Sequence, residues 1–175
     1  NTALHEGGFY LNIESDYKFK YPIVIYNYFT GVLKNKIINN SETITMSKNS
    51  DATIIEYLID ESEGNFFNNT FKYINLEENA SLNYYFINKK ESNNFFYEFS
   101  KVELLKNSNF KKYLFSSGMK FGKFESNIKL NGMNSCGEVY SGLFLGINNH
   151  QEIKTNIQHL KPNCQSHQDI KNVLA

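Results

Sequence analysis

An Asn followed by a small residue returns along this chain at Asn49-Ser50, Asn79-Ala80, Asn107-Ser108, Asn134-Ser135 and Asn163-Cys164, at separations of 30, 28, 27 and 29 residues. A near-constant period of this size marks a solenoid, in which each repeat is a supersecondary unit that buries its apolar face only against the next coil. Function in such a chain belongs to an elongated surface.

Composition says which kind of solenoid. Phe (15) and Tyr (12) are abundant, and the helical spacing of apolar residues at i, i+3, i+4 and i+7 is nearly missing, which favours strands. A short alternating segment precedes each signature: Tyr73–Leu76, Lys101–Leu104, Ile128–Leu130 and Ile157–Leu160. A second follows it: Ala52–Tyr57, Leu82–Phe86, Tyr113–Phe115 and Val139–Leu143. Two strands per repeat, joined by a polar turn, make one flattened coil. The expected fold is therefore an all-β chain, a parallel β-helix of at least five coils with very little helix, in which equivalent strands stack about 4.8 Å apart.

The recurrent Asn then has a structural explanation. Stacked amides hydrogen-bond from coil to coil, and Asn tolerates the left-handed backbone of tight turns, so Asn49, Asn79, Asn107, Asn134 and Asn163 are expected to form a turn ladder rather than a ligand set. Ile54, Ile74, Leu76, Leu82, Val102, Leu104 and Ile128 are expected to point inward.

Charge and motifs exclude more than they suggest. Eighteen basic and eighteen acidic side chains balance, and the lysines are scattered (Lys34 and Lys36, Lys89-Lys90, Lys111-Lys112), so no basic stripe for nucleic acid is visible. The longest apolar run, Pro22 to Phe29, is far shorter than the roughly 20 residues of a membrane-spanning helix. Phosphate loops, nucleophile elbows and His-Glu-x-x-His patterns are missing. The carboxylates Glu56, Glu77, Glu78, Glu98, Glu103, Glu125, Glu138 and Glu152 keep no consistent place in the repeat, and most are expected on solvated faces; no self-contained enzyme is expected. Cys136 and Cys164 fall one coil apart, which leaves a disulfide, a shared metal or two unrelated small residues open. Ser166-His167-Gln168-Asp169 has capping-box form, but the repeat calls for a strand there. The opening without Met and the stop at Val173-Leu174-Ala175, inside a strand-like run, lead to the expectation of a core fragment spanning 1–175 with helical domains on either side.

One stretch is more specific. Gly142-Leu143-Phe144-Leu145-Gly146, then His150-Gln151-Glu152, then His159-Leu160-Lys161-Pro162-Asn163-Cys164-Gln165-Ser166 and Lys171-Asn172-Val173-Leu174 resemble the core of the SufB/SufD family, the scaffold proteins of the SUF iron–sulfur cluster assembly machinery. Leu4 to Ile13 and the Pro22-Ile23 strand resemble the family's first coils. The SufD branch fits better: SufB carries a sulfur-accepting Cys just after the segment similar to Thr53-Ile54-Ile55-Glu56, where this chain has Tyr57, Leu58 and Ile59. SufB also typically lacks the Pro and Cys of the His-x-x-Pro-x-Cys block. Where the family has Tyr-Lys-Gly, this chain has Ile170-Lys171-Asn172, a mild change at a turn.

The resemblance implies a right-handed β-helix that pairs with SufB, and the ATPase SufC docking on regions outside residues 1–175. It implies a non-catalytic scaffold in the bacterial cytoplasm or plastid stroma, carrying at most a transient iron–sulfur cluster and self-associating as a homodimer when isolated. Neither nucleic acid nor membrane is an expected partner. The family's His at the SufB-facing site lies beyond the matched stretch, which leaves His159 and Cys164 as local candidates for sulfur or iron handling. Counted back from Asn163, Leu160 points inward and His159 outward; counted forward from Ile153, His159 points inward, and a one-residue slip would reconcile the two. The competing class is a secreted β-helix that binds or cleaves polysaccharide.

Overall fold

The computed structural model describes His5, residues 7–89 and residues 92–174. The opening Asn1-Thr2-Ala3-Leu4 and the closing Ala175, which bear on the expectations about chain ends, lie outside the described residues, as do Glu6, Lys90 and Glu91.

Twelve strands follow one another: β1 (Gly7–Ile13), β2 (Ile23–Val32), β3 (Lys36–Met46), β4 (Asp51–Glu63), β5 (Phe66–Leu76), β6 (Ser81–Asn88), β7 (Ser92–Leu104), β8 (Asn109–Ser117), β9 (Met119–Leu130), β10 (Cys136–Leu145), β11 (His150–His159) and β12 (Gln165–Leu174). No helix occurs among the described residues, and the capping-box run at Ser166 is strand. Odd strands form one parallel sheet, β1-β3-β5-β7-β9-β11, and even strands the other, β12-β10-β8-β6-β4-β2. Each odd–even pair is one coil, so the chain is a two-sided parallel β-helix of six coils.

Every pairing is parallel and, apart from one shift between Ser92 and Phe95 in the β7–β9 pair, keeps its register, so equivalent residues stack in columns. Ile13, Met46, Leu76, Leu104 and Leu130 form one inward column, and Ile44, Ile74, Val102 and Ile128 form the next. Ala52, Leu82 and Phe110 face them from the other sheet. The seven residues expected to point inward are all within 1% of complete burial. The apolar ladder supplies the hydrophobic stabilisation that a single coil cannot provide.

The turns beside these columns carry the recurrent Asn. Asn49, Asn79, Asn107, Asn134 and Asn163 all have φ between 56° and 60°, the left-handed region. The side chains of the first four join the coils: Asn134 Nδ2 donates to Asn107 Oδ1 (3.0 Å), Asn107 to Asn79 (2.9 Å), Asn79 to Asn49 (2.9 Å) and Asn49 to Asp16 Oδ1 (2.8 Å). Asp16, also left-handed at φ 65°, ends the ladder with a group that only needs to accept. It is the sixth member of the series, hidden from the sequence pattern because it is not Asn. The residue after the Asn closes the turn, Ser50, Ser108 and Ser135 each donating Oγ–H to the carbonyl three residues back.

Turn length resolves the two counts for His159. The turns after β3, β5 and β7 have four residues each, whereas those after β9 and β11 have five. The extra residue is accommodated where the N–H groups of Asn131 and Gly132 both donate to Leu104 O. His159 thus pairs with Leu130 in the inward column, and Leu160 falls in the turn, 52% exposed. The count from Ile153 is the correct one; the count from Asn163 fails by the one inserted residue. At the opposite edge the connections contain three, two, three, one and four residues, so that edge has no regular signature.

Candidate functional site

Farther from the Asn turns, the inward columns change chemistry. Glu42, Lys72, Ser100 and Ser126 stack on the odd sheet where aliphatic residues would be expected, with Glu98 two positions before Ser100 on β7. Glu56, Tyr84 and Lys112 face them from the even sheet. Lys72 is completely buried, and its Nζ lies 3.1 Å from Glu42 Oε2, 2.6 Å from Glu56 Oε2 and 3.1 Å from Glu98 Oε2, and it also contacts the Tyr84 hydroxyl. Lys112 Nζ lies 2.7 Å from Glu98 Oε1 and donates to Ser100 and Ser126 Oγ at 3.2 Å. Asn27 Nδ2 donates to Glu56 Oε1 at 2.6 Å.

Charges at this depth persist only as a mutually paired set, since an unpaired buried charge is far more costly than a paired one. Burial pushes the Glu56 carboxyl up to about 7, with Lys72 pulling against it and the other two carboxylates reinforcing it. Glu98 is also desolvated, but Lys112 and Lys72 together hold it down at about 2. Burial works against the Lys72 ammonium, and the three surrounding carboxylates outweigh it, so its affinity for the proton is well above the ordinary lysine range. Glu56 therefore exchanges its proton near neutral pH inside a closed interior. A cavity of about 20 Å³ adjoins it, lined in part by Asn27, Asn40, Asn68 and Thr70, with room for about one water molecule.

This cluster corrects the sequence reading. Glu56 and Glu98, expected with the solvated carboxylates, are 2% and 5% exposed, and Lys112, counted among scattered lysines, is 3% exposed. The signal was legible: Glu56 is in phase with Ala52 and Ile54, Lys72 with Ile74 and Leu76, and Lys112 with Phe110 and Leu114. A two-residue period places all of them inside.

His159 and Cys164 flank the last turn. His159 ends β11, exposed, with Nε2 3.0 Å from Ser166 Oγ. Cys164 takes the place that Ser occupies in earlier turns, next to Ser135, with Sγ 3.4 Å from Ser135 Oγ and 3.3 Å from Gly132 O. Cys136 pairs with Gln165, one position out of step with Cys164. Its thiol is pushed up by burial and by Glu138, whose Oε1 lies 3.6 Å away. Both cysteines are free, so the disulfide alternative falls. Among the described residues no group of three or more His, Cys, Asp or Glu side chains could hold a metal ion.

The two outer faces differ. On the odd sheet, charged pairs alternate, such as Lys101 with Glu103 at 2.8 Å and Lys123 with Glu125 at 3.0 Å. On the even sheet, Tyr85, Tyr113 and Tyr140 stack face to face at 4.4 and 5.1 Å, and Tyr26 stacks on Tyr57 at 5.4 Å. Phe115 and Phe144 run alongside at 5.3 Å. Between the tyrosine and phenylalanine ladders lies an open, mainly apolar groove of about 500 Å³, floored by Ser141 and Gly142 and edged by Lys89, Asp169 and Lys171.

Compared with known protein families, residues 29–175 match the family described as SUF system FeS cluster assembly, SufBD core domain. Searches of curated proteins and of solved structures return no match.

Proposed function

The chain belongs to the SufBD core family of the SUF iron–sulfur cluster assembly system, and from that membership we propose that it acts as a non-catalytic scaffold of the SufD type. It pairs with SufB through the β-helix, and the ATPase SufC couples through regions outside residues 1–175. Iron and sulfur are cargo in this reading, held transiently in the full complex, in a cytoplasmic or stromal compartment where thiols stay reduced. The SufD assignment is supported by Tyr57, Leu58 and Ile59 where SufB would carry its Cys, and by the His159-x-x-Pro162-x-Cys164 block at the last turn.

The observation that carries the scaffold reading is the contrast between a filled interior and an open outer face. Lys72, Lys112 and their carboxylates close the inside with paired charges, whereas the even sheet presents exposed aromatic side chains. Exposed apolar surface of this kind suits a protein partner. Co-expression of the full-length protein with SufB and SufC, followed by size-exclusion chromatography under reducing, anaerobic conditions, should yield one heteromeric peak. Separate elution of the three proteins, with binding of the chain to an oligosaccharide, would replace the scaffold with the polysaccharide reading.

A further inference from the structure

The buried charges do not balance. Glu42, Glu56 and Glu98 supply three carboxylates, and Lys72 and Lys112 supply two ammonium groups, so the fully ionised cluster carries one negative charge too many. An uncompensated charge in a closed interior is strongly unfavourable, and one added proton removes it. Glu98 has a lysine on each oxygen, Lys112 at 2.7 Å from Oε1 and Lys72 at 3.1 Å from Oε2. Glu56 has a lysine on Oε2 alone, and its Oε1 is held by the neutral amide of Asn27. The raised proton affinity of Glu56, set by burial and by the other two carboxylates, agrees with that difference.

Asn27 also joins Glu56 to the outside. Asn27, Phe29 and Asn40 line the small cavity beside Glu56, and the same three line an open cleft of about 420 Å³ at the first coil, with Tyr28, Leu33 and Ile38 on its other walls. The partition is thin for a topological reason. Asn27 lies on β2, the outermost strand of the even sheet, and Asn40 pairs with Gly7, the first residue of β1, so Lys36–Asn39 of β3 have no β1 partner. Terminal coils of a solenoid have one neighbour and are the first to open. The Asn27 amide can follow the proton: an ionised Glu56 only accepts, whereas a protonated one has an O–H to give, which Asn27 Oδ1 receives once the amide turns over. The other ionisable groups around Glu56 are Glu42 of β3, Lys72 of β5 and Glu98 of β7. Tyr84 of β6 stands against Lys72, and Lys112 of β8 against Glu98. Tyr97 lines the cavity but turns its hydroxyl to Glu125.

We propose that Glu56 is a proton-operated latch on the first coil. With its proton, the interior charges balance and Asn27 and Asn40 keep the cavity shut from the cleft. Without it, the excess buried charge draws water in between Asn27 and Asn40, and β2 separates from β4 while the later coils stay folded. The device is a local conformational switch, distinct from the loss of global stability that the same proton brings about, because it acts at one end of the solenoid through an opening that the other coils do not share.

The test is amide hydrogen exchange of the full-length protein at about pH 5.5 and about pH 8, corrected for the intrinsic pH dependence of exchange and read separately for β2 and β8. In the wild type, protection of the β2 amides should fall at least about tenfold between the two conditions and stay below that of β8 throughout. In Glu56→Gln, neutral at both ends of the range, β2 protection should stay within about threefold. Wild-type β2 protection that does not change with pH overturns the proposal. So does β2 protection equal to that of β8 at both pH values, which would mean that only global unfolding releases it, or a Glu56→Gln protein that loses β2 protection as the wild type does. If Glu56→Gln does not fold, the comparison of β2 with β8 in the wild type decides by itself.

Discussion

The two halves of the β-helix interior follow different rules. Beside the Asn turns, the inward columns are aliphatic, and the connections between odd and even strands keep four or five residues from β3 onward. Farther in, midway across the coil, the columns contain Glu42, Lys72, Glu98 and Lys112, and apolar packing by Phe29, Phe66 and Phe96 resumes towards the other edge, where the connections vary from one to four residues. The aliphatic half gains from area removed from water and needs no particular partner for each side chain. The charged half depends on every ion finding its counter-ion, so it is specific, and vulnerable to loss of any one member.

Removing the central cation should produce the largest effect. Lys72→Met leaves Glu42, Glu56 and Glu98 facing one another in a closed space, and we expect a loss of about 3–5 kcal/mol in denaturant unfolding. Leu104→Ala, in the aliphatic half, should cost about 2–5 kcal/mol by a different route, the loss of burial and the cavity left behind. A second change separates the two causes. Adding Glu56→Gln should recover part of the Lys72→Met loss and none of the Leu104→Ala loss; equal recovery in both would mean that the halves are not distinct in kind.

Acid and base should also act on one half only. The Glu56 carboxyl holds its proton up to about pH 7 in the folded protein, against an ordinary 4.5. The folded state therefore binds more protons between these values, and the stabilisation it gives is full at the acid end and lost as pH rises through 7. Glu98, held down at about 2, acts oppositely: its contribution is present above the ordinary carboxylate range and lost as pH falls. Stability should peak in weak acid and fall on the order of 3 kcal/mol towards neutral pH on account of Glu56. In Glu56→Gln that neutral-side decline should disappear while the acid-side decline remains. Denaturation midpoints measured from pH 3 to 8 in both proteins decide the point.

The same division explains what could be read from the sequence. The aliphatic half announced itself because one side-chain type, Asn, serves both the left-handed backbone and the hydrogen-bonded ladder, so its repetition is forced by the turn. Asp16 escaped because the last acceptor of a ladder need not be an amide, and Leu160 misled because one residue was inserted into the turn. Residue type alone conceals the charged half. Its side chains contradict hydropathy while obeying the two-residue period, and their compensation depends on contacts across 12 to 30 positions of chain, as between Lys72 and Tyr84 or Lys72 and Glu42.

The smallest expected effect belongs to the ladder itself. Asn107 sits at its middle, donating to Asn79 and accepting from Asn134, with φ at 56°. Asn107→Ala removes both amide bonds and places a Cβ-bearing residue without Asn's tolerance in the left-handed region, which together should cost about 1–2 kcal/mol. Asn107→Gly removes the same bonds but accepts the backbone freely, so its cost should stay below about 1 kcal/mol, because these exposed amides exchange one another for water at little net loss. Thermal unfolding of the two variants separates conformation from hydrogen bonding. If the glycine variant were as destabilised as Leu104→Ala, the amide ladder rather than the aliphatic columns would be the main support of this edge, and the contrast between the halves would have to be redrawn as one between two polar networks.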